Sequence, residues 1–367
     1  MNKKRVLIKA TATLPYRNGM LAGVGRSMIE LINHLLKISD EEIEFCLYYT
    51  GLKSLRIDLN DWPFKKYRLP FSYRGSSKLS SLIEPIIRKR VLKPDLFHIT
   101  NNYDSIYEGE NFIVTIHDMI LYETRPELRS KFEQMGKLSK MIVTCSNYSK
   151  NEIMRLLQVP SEKIRVIPWG IKHELFHPYV KSQVELVLNK YSIKEPYFFS
   201  CSCGDKRKNS DITLEAFRRF SNEHSGYTLV LIWGNCPEGL ALKYEQEIKS
   251  GSIRIINGVP DKDLACLYSG ALATIFISSA EGFGFPLLES FACGTPCVTC
   301  NNTSLAELGN SYAFFVKERS VEETSESMNY YAEHGKMTSL ELVEYANTFD
   351  WNKTAMEYLS VYKETLC

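Results

Sequence analysis

The stretch that most constrains this chain is Thr274–Pro296, TIFISSAEGFGFPLLESFACGTP. Its β-branched and aromatic opening, Thr274–Ser279, reads as a buried strand. Pro286 suits a first helical position, where its missing N–H is no loss and its φ is already helical. The spacing predicts a short helix over Leu287–Cys293, stopped by Gly294 and Pro296. A strand, a glycine-bearing turn and a helix start in succession make an anion site from free N–H groups and a dipole. Gly282 and Gly284 let the backbone approach a ligand closely. Glu281 and Glu289 frame this turn, and each carboxylate can accept two hydroxyl protons from a vicinal diol. A phosphate flanked by two diols describes a nucleotide sugar. Taken singly, Glu281 also reads as a solvated loop residue and Glu289 as a complement to the helix dipole.

The rest of the chain alternates strands with helical segments. Arg5–Lys9 reads as a first strand, followed by Gly23-Val-Gly25-Arg-Ser27 and a helix over about Ser27–Leu36. Met28 stands where a nicotinamide-binding G-x-G-x-x-G would have its third glycine, which disfavours such an oxidoreductase. Further strands are expected at Ile43–Tyr49, Asp95–Ile99, Phe112–Ile116, Met141–Cys145 and Arg165–Ile167. In the second half they are expected at Tyr197–Cys203, Leu229–Gly234 and Ile253–Gly258. This alternation argues for parallel sheets covered by helices. His117-Asp118 closes one strand, at the end where ligand groups of doubly wound sheets gather. His98 reads as a structural residue, and Ser146 or Ser149 as a helix cap. Lys206-Arg207-Lys208, just before a helix expected from about Ser210, reads either as a solvated basic turn or as a phosphate clamp.

Glu281–Pro296 resembles the donor-site signature of family 4 glycosyltransferases, E-G-F/W-G-L/F-P/V-x-L/I-E-A-x-A-x-G-x-P, with Ser290 its one departure. The likeness extends to the GVGR string at Gly23–Arg26, to Val114–Asp118 (VTIHD) and to Thr144–Ser149. It continues through Ile164–Pro178, with Trp169 in place of the usual asparagine, to Arg207-Lys208-Asn209 and to Asn301–Glu307, with Ala306 in place of proline. The resemblance implies an α/β chain of the GT-B fold, two Rossmann-like domains whose parallel sheets face each other across a cleft. The expected division is 1–169 for the acceptor side, 170–348 for the nucleotide sugar, and 349–367 for a helix returning to the first domain. Arg207 and Lys208 are expected on the diphosphate, Glu289 on the ribose, Glu281 on the hexose and His117 facing the sugar ring. Gly23, Gly25, Gly282, Phe283, Gly284, Phe285, Pro286, Leu287 and Ser304 complete the expected donor site. The implied reaction is transfer, with retention, of a hexose to a saccharide or lipid-linked saccharide. No Asp-x-Asp motif stands where this fold would use one, so a metal-independent enzyme without cofactor is expected. An epimerase of the same fold would need further acid and base carboxylates. A non-catalytic partner subunit would be expected to have lost Arg207, Lys208 or Glu281.

Composition narrows the setting. An apolar content of 44% and a charged content of 24% over 367 residues suit a globular protein of two domains. No run approaches the ~18 apolar residues of a membrane span, and the N-terminal residues read as a strand, so a cytoplasmic location is expected. The ten cysteines are expected reduced, and Cys297-x-x-Cys300 has no partner motif to make a metal site. The net charge of +2 conceals an asymmetry: residues 1–170 carry +9 and the remainder −7. Within the basic half, Arg88, Lys89, Arg90 and Lys93 follow the apolar Leu82–Ile87. They read either as a solvated helix end broken by Pro85 or as a shallow contact with an anionic membrane surface. No RNA-binding or zinc-finger motif accompanies the charge, and no nucleic acid is expected.

Overall fold

Parallel strands fill two separate sheets in the computed structural model, which describes residues 3–15, 23–38, 40–51, 61–69, 84–102, 106–201, 203–336 and 339–367. The chain forms two units, Met1–Gly170 with Trp351–Cys367, and Ile171–Asp350. The first sheet holds β1 (Lys4–Lys9), β2 (Ile43–Thr50), β3 (Lys65–Leu69), β4 (Leu96–Ile99), β5 (Phe112–Thr115), β6 (Met141–Thr144) and β7 (Ile164–Val166), in the order β3-β2-β1-β4-β5-β6-β7. The second holds β8 (Tyr197–Ser200), β9 (Thr228–Ile232), β10 (Ile253–Ile256), β11 (Thr274–Phe276), β12 (Cys297–Cys300) and β13 (Phe314–Val316), in the order β10-β9-β8-β11-β12-β13. Central strands such as Val6-Leu7-Ile8 and Phe198-Phe199 are apolar on both faces and fully buried, as sheets covered on both sides require. β3 was not expected. It is an edge strand of sequence KKYRL, paired with β2 and only half covered.

Each sheet has one point where the strand order reverses, between β1 and β4 and between β8 and β11. Loops leaving adjacent strands there open a crevice at the carboxyl ends, where α/β sheets bind ligands. In the first unit the C-terminal helix Trp351–Leu366 lays Trp351, Tyr358 and Tyr362 on its buried face. The Tyr362 hydroxyl meets His98 Nδ1 at 2.8 Å, and His98 Nε2 meets Thr115 Oγ1 at 2.8 Å. His98 is therefore structural, satisfied on both nitrogens.

Two expectations in this unit are corrected. The GVGR string is not a loop: the helix spans Gly23–Leu35, so Gly23 opens it and Gly25 is buried in its first turn. Arg88 is not at the surface. Residues 84–87 are helical despite Pro85, and a π-helical turn Arg88–Leu92 continues them. A proline obstructs the turn that precedes it, not the one that follows. The turn points Arg88 inward, fully buried, where it donates to Glu84 Oε1 at 2.6 Å and to Glu110 Oε2 at 3.1 Å. Tyr48 and Tyr107 hydroxyls donate to the same Glu84 carboxylate at 2.7 and 3.0 Å, and the guanidinium lies over Tyr48, Phe97 and Tyr107. Lys89, Arg90 and Lys93 remain exposed, beside the exposed side chains of Ile86 and Val91. Among the described residues no helix is long and apolar enough to cross a membrane.

Removing one partner of a buried pair strands the other charge, at a cost of about 3–5 kcal/mol. Arg88→Ala should therefore lower the stability of the chain by that order in urea unfolding, whereas Arg90→Ala, at the surface, should leave it unchanged.

Candidate active site

The second unit's crossover brings two loops together. One leaves β8 and carries a single 3-10 turn, Lys206–Lys208, capped by Asp205, whose carboxylate accepts from the Arg207 N–H at 3.1 Å. The other leaves β11 and leads through Glu281 to the helix Phe285–Ala292. They are joined by backbone: Ser279 N–H donates to the Arg207 carbonyl at 2.7 Å, and the Ser278 hydroxyl to the same carbonyl at 3.2 Å. Asn209 adds a side-chain clip, its Nδ2 donating to the Ile277 carbonyl and Ser279 Oγ at 3.0 and 2.9 Å.

This arrangement brings three of the expected residues together. Lys208 Nζ donates to Glu281 Oε1, and Arg207 Nη1 lies 2.9 Å from the same oxygen. Arg207 also donates to the Ala280 carbonyl and, through Nε, to Asp205 Oδ2 at 2.9 Å. Burial works against the charge of Arg207, but Glu281 and Asp205 outweigh it and hold its pKa above the ordinary value. Lys208 and Glu281 are about nine-tenths buried, and the ammonium lies 4.7 Å from the centre of the Phe276 ring. Two cations and a carboxylate thus share one poorly hydrated spot, where electrostatic interactions act at short range with little screening.

The turn itself is set by sterics. Gly284 has φ +126°, a conformation that favours glycine, and a Cβ there would lie 2.9 Å from Leu305 Cδ2. Pro286 sits in the first helical turn and Gly294, at φ +72°, ends the helix. Pro286 has no N–H, and Leu287 N–H donates to the Gly284 carbonyl at 3.1 Å. What Leu287 contributes is a fully buried side chain, and Phe283 is likewise buried, against Phe285 and Phe349. Ser304 is corrected in the same sense. It is completely buried, and its hydroxyl bonds the Glu281 and Phe283 carbonyls at 2.9 and 2.5 Å. It shapes the Glu281–Gly284 loop from behind.

Glu289, half-covered on the helix, accepts a hydrogen bond of 3.0 Å from Tyr268. Burial pushes the Tyr268 phenol well up, so it stays a donor at all ordinary pH. Asn209, Ser279 and Tyr268 were not singled out as supports, because nothing in local spacing shows which loop another loop will meet. The string Asp261-Lys-Asp263 is the first turn of the helix Asp261–Gly270, with Asp263 bonded to Lys190 and Tyr191. Among the described residues no group of three or more His, Cys, Asp or Glu is arranged to hold a metal. Cys293, Cys297 and Cys300 are buried, and none of the ten cysteines forms a disulfide.

In the first unit His117 closes β5. Its Nε2 lies 2.8 Å from the Thr100 carbonyl. A carbonyl only accepts, so Nε2 carries the proton and Nδ1 keeps its lone pair. Nδ1 is buried without a partner among the described residues. Trp169, standing where an asparagine was expected, places its ring 5.2 Å from the imidazole. Burial lowers His117 to about 4, and burial with repulsion from His117 lowers His98 to about 3. Both rings are neutral at pH 7.

Two family models match this chain: Glycosyltransferase Family 4 over residues 21–175 and Glycosyl transferases group 1 over residues 188–348. The chain belongs to glycosyltransferase family 4. Among this glycosyltransferase's relatives, the O-antigen chain mannosyltransferase B of Escherichia coli is 26% identical over 388 residues, covering 97% of this chain and 99% of that one. A glycosyltransferase from Rickettsia africae superposes with a TM-score of 0.75 at 18% identity, over 100% and 99% of the two chains. HepE of Anabaena, solved with UDP and glucose, superposes at 0.73 and 15%, over 99% and 100%. The fold is GT-B.

The two histidines set a pH dependence. A base whose folded pKa is depressed binds fewer protons than the unfolded chain does. Stability is therefore complete above 6.5 and is lost as pH falls toward 4. Each histidine contributes up to about 1.4 kcal/mol per pH unit in that window. Urea unfolding at pH 6 and pH 5 should differ by about 2 kcal/mol on this account, and His98→Gln should remove roughly half of the slope.

Proposed function

We propose that this glycosyltransferase moves a hexose from a nucleoside diphosphate sugar to a saccharide or lipid-linked saccharide acceptor, with retention and without a metal. The observation that carries the reading is the convergence of Lys208 and Arg207 on Glu281 at the start of the Phe285–Ala292 helix. Two cations held at one carboxylate supply the fixed positive potential that stabilising a departing diphosphate requires. In this reading they hold the diphosphate, the role a divalent metal fills in other transferases. Glu281 takes hexose hydroxyls once the cations turn to the phosphates, and Glu289, aligned by Tyr268, takes the ribose diol. His117 Nδ1, in the first unit, keeps a lone pair able to accept from a hydroxyl. The acceptor oxygen bonds to the anomeric carbon on the face from which the diphosphate leaves, and a diphosphate oxygen takes its proton.

A mannosyl donor is favoured by the names of the relatives, the E. coli enzyme above and the O-antigen chain mannosyltransferase RfbU of Salmonella typhimurium, 26% identical over 56% of each chain. A lipid-linked acceptor accords with the exposed Lys89, Arg90 and Lys93 beside Ile86 and Val91. That combination suits shallow contact with an anionic membrane surface. Arg88 takes no part in it.

The test is calorimetric titration with UDP, GDP, dTDP and ADP in the presence of a chelator. One nucleotide should bind at micromolar concentration, and Lys208→Ala should abolish that binding and slow transfer by on the order of a hundredfold. Binding of none of the four, or binding that survives the substitution, would overturn the donor site. A glycosyl adduct trapped on Glu281 or Glu289 during turnover would overturn the mechanism.

A further inference from the structure

Arg319 lies in the turn between β13 and the helix Val321–His334, outside every motif considered above. Its φ is +58°, a left-handed conformation that favours glycine and that side chains other than Asn and Asp rarely adopt. Its guanidinium reaches across to the other loop. Nη1 donates to Asn209 Oδ1 at 2.8 Å and Nη2 to Asp211 Oδ2 at 3.0 Å. Asn209, also left-handed at φ +49°, is buried directly after Lys208.

We propose that Arg319 is a positioning residue for the diphosphate clamp, acting through Asn209; the inference rests on the donor-site reading above. An arginine can only donate, whereas an amide has one accepting and one donating end. Arg319 therefore dictates which way the Asn209 amide faces. With Oδ1 turned to the guanidinium, Nδ2 must face the end of β11, where it holds the Ile277 carbonyl and Ser279 Oγ. The Asn209 carbonyl meanwhile accepts from Ile212 and Thr213 N–H at 3.0 and 3.1 Å, starting the helix Ser210–Ser221. One residue thus ties the Lys206–Lys208 turn to the loop bearing Glu281, and Arg319 fixes that residue's orientation. Asp211 keeps the guanidinium in place. Without Arg319 a buried acceptor loses its charged donor, and the amide is free to turn over. The distance between the two cations and the phosphate position would then no longer be set.

The discriminating variant is Arg319→Gly. Glycine occupies φ +58° without steric penalty, so the fold keeps its backbone while the donor is lost. The ligand is whichever of UDP, GDP, dTDP or ADP the unsubstituted enzyme binds, compared with the corresponding nucleoside by competition. The expected result is a loss of about tenfold in affinity for the diphosphate, the scale of one charge-assisted hydrogen bond. Affinity for the nucleoside should stay unchanged, and Arg319→Gly should add nothing in an Asn209→Ala background. An unchanged diphosphate affinity overturns the proposal, as does an equal loss for nucleoside and diphosphate. Losses that add in the double variant also overturn it. These outcomes are distinct from failure of the donor-site reading, in which the unsubstituted enzyme itself binds none of the four nucleotides and both fall together.

Discussion

Adjacent parallel strands send their chains out of a sheet in the same direction, and at β8 and β11 this has a specific consequence. The loops that follow turn to opposite sides, because the strand order reverses between them. The space they leave is lined by backbone that no further strand can satisfy. Here the loops satisfy each other: Ser279 N–H bonds the Arg207 carbonyl, and Asn209 bonds Ile277 and Ser279. Short, directional bonds between main chains fix positions far more tightly than long side chains could. Arg207 and Lys208 consequently start from a fixed base.

Electrostatics then decides what that base can hold. Two cations side by side with little water around them repel each other, and Glu281 Oε1 holds both. A diphosphate offers several oxygens and more charge than one carboxylate, so it can replace Glu281 at both cations. In the reading proposed above, that exchange releases Glu281 as an acceptor and lets the same three side chains serve both halves of a nucleotide sugar. His117 follows a different logic: burial keeps it neutral, so it offers a lone pair without adding a charge.

Much of this was legible beforehand, for physical reasons that differ by region. Parallel strands buried on both faces must be continuously apolar, so β1, β5 and β11 stand out in the sequence. β3 does not, because KKYRL lies at an edge and has no buried face to encode. The Glu281–Pro296 string was legible because glycine and proline carry backbone geometry in their own identity, and Gly284 indeed sits at φ +126°. Arg88 was misread for the opposite reason. A run of basic residues looks like a surface, and the carboxylates that draw Arg88 inside are Glu84, four residues before it, and Glu110, on a different segment. Ser304 and Leu287 belong to the signature, yet both side chains are fully buried, and the Ser304 hydroxyl is spent on the Glu281 and Phe283 carbonyls. A motif identifies the residues a turn needs without separating those that touch a ligand from those that hold the turn in shape.

Part of the unusual backbone lies beside the two loops of the site. Asn209, Thr303 and Arg319 all have positive φ without being glycine, and each belongs to a loop that fixes the Lys206–Lys208 turn or the Glu281–Gly284 loop. Thr303 precedes Ser304, whose hydroxyl holds the Glu281 and Phe283 carbonyls. Such conformations persist only when surrounding contacts over-determine them. At Asn209 and Arg319 those contacts include each other. The backbone strain and the hydrogen bonds that hold the clamp are therefore one feature of the fold: relaxing these loops to their preferred φ would turn away the side chains that hold the two halves of the site in register.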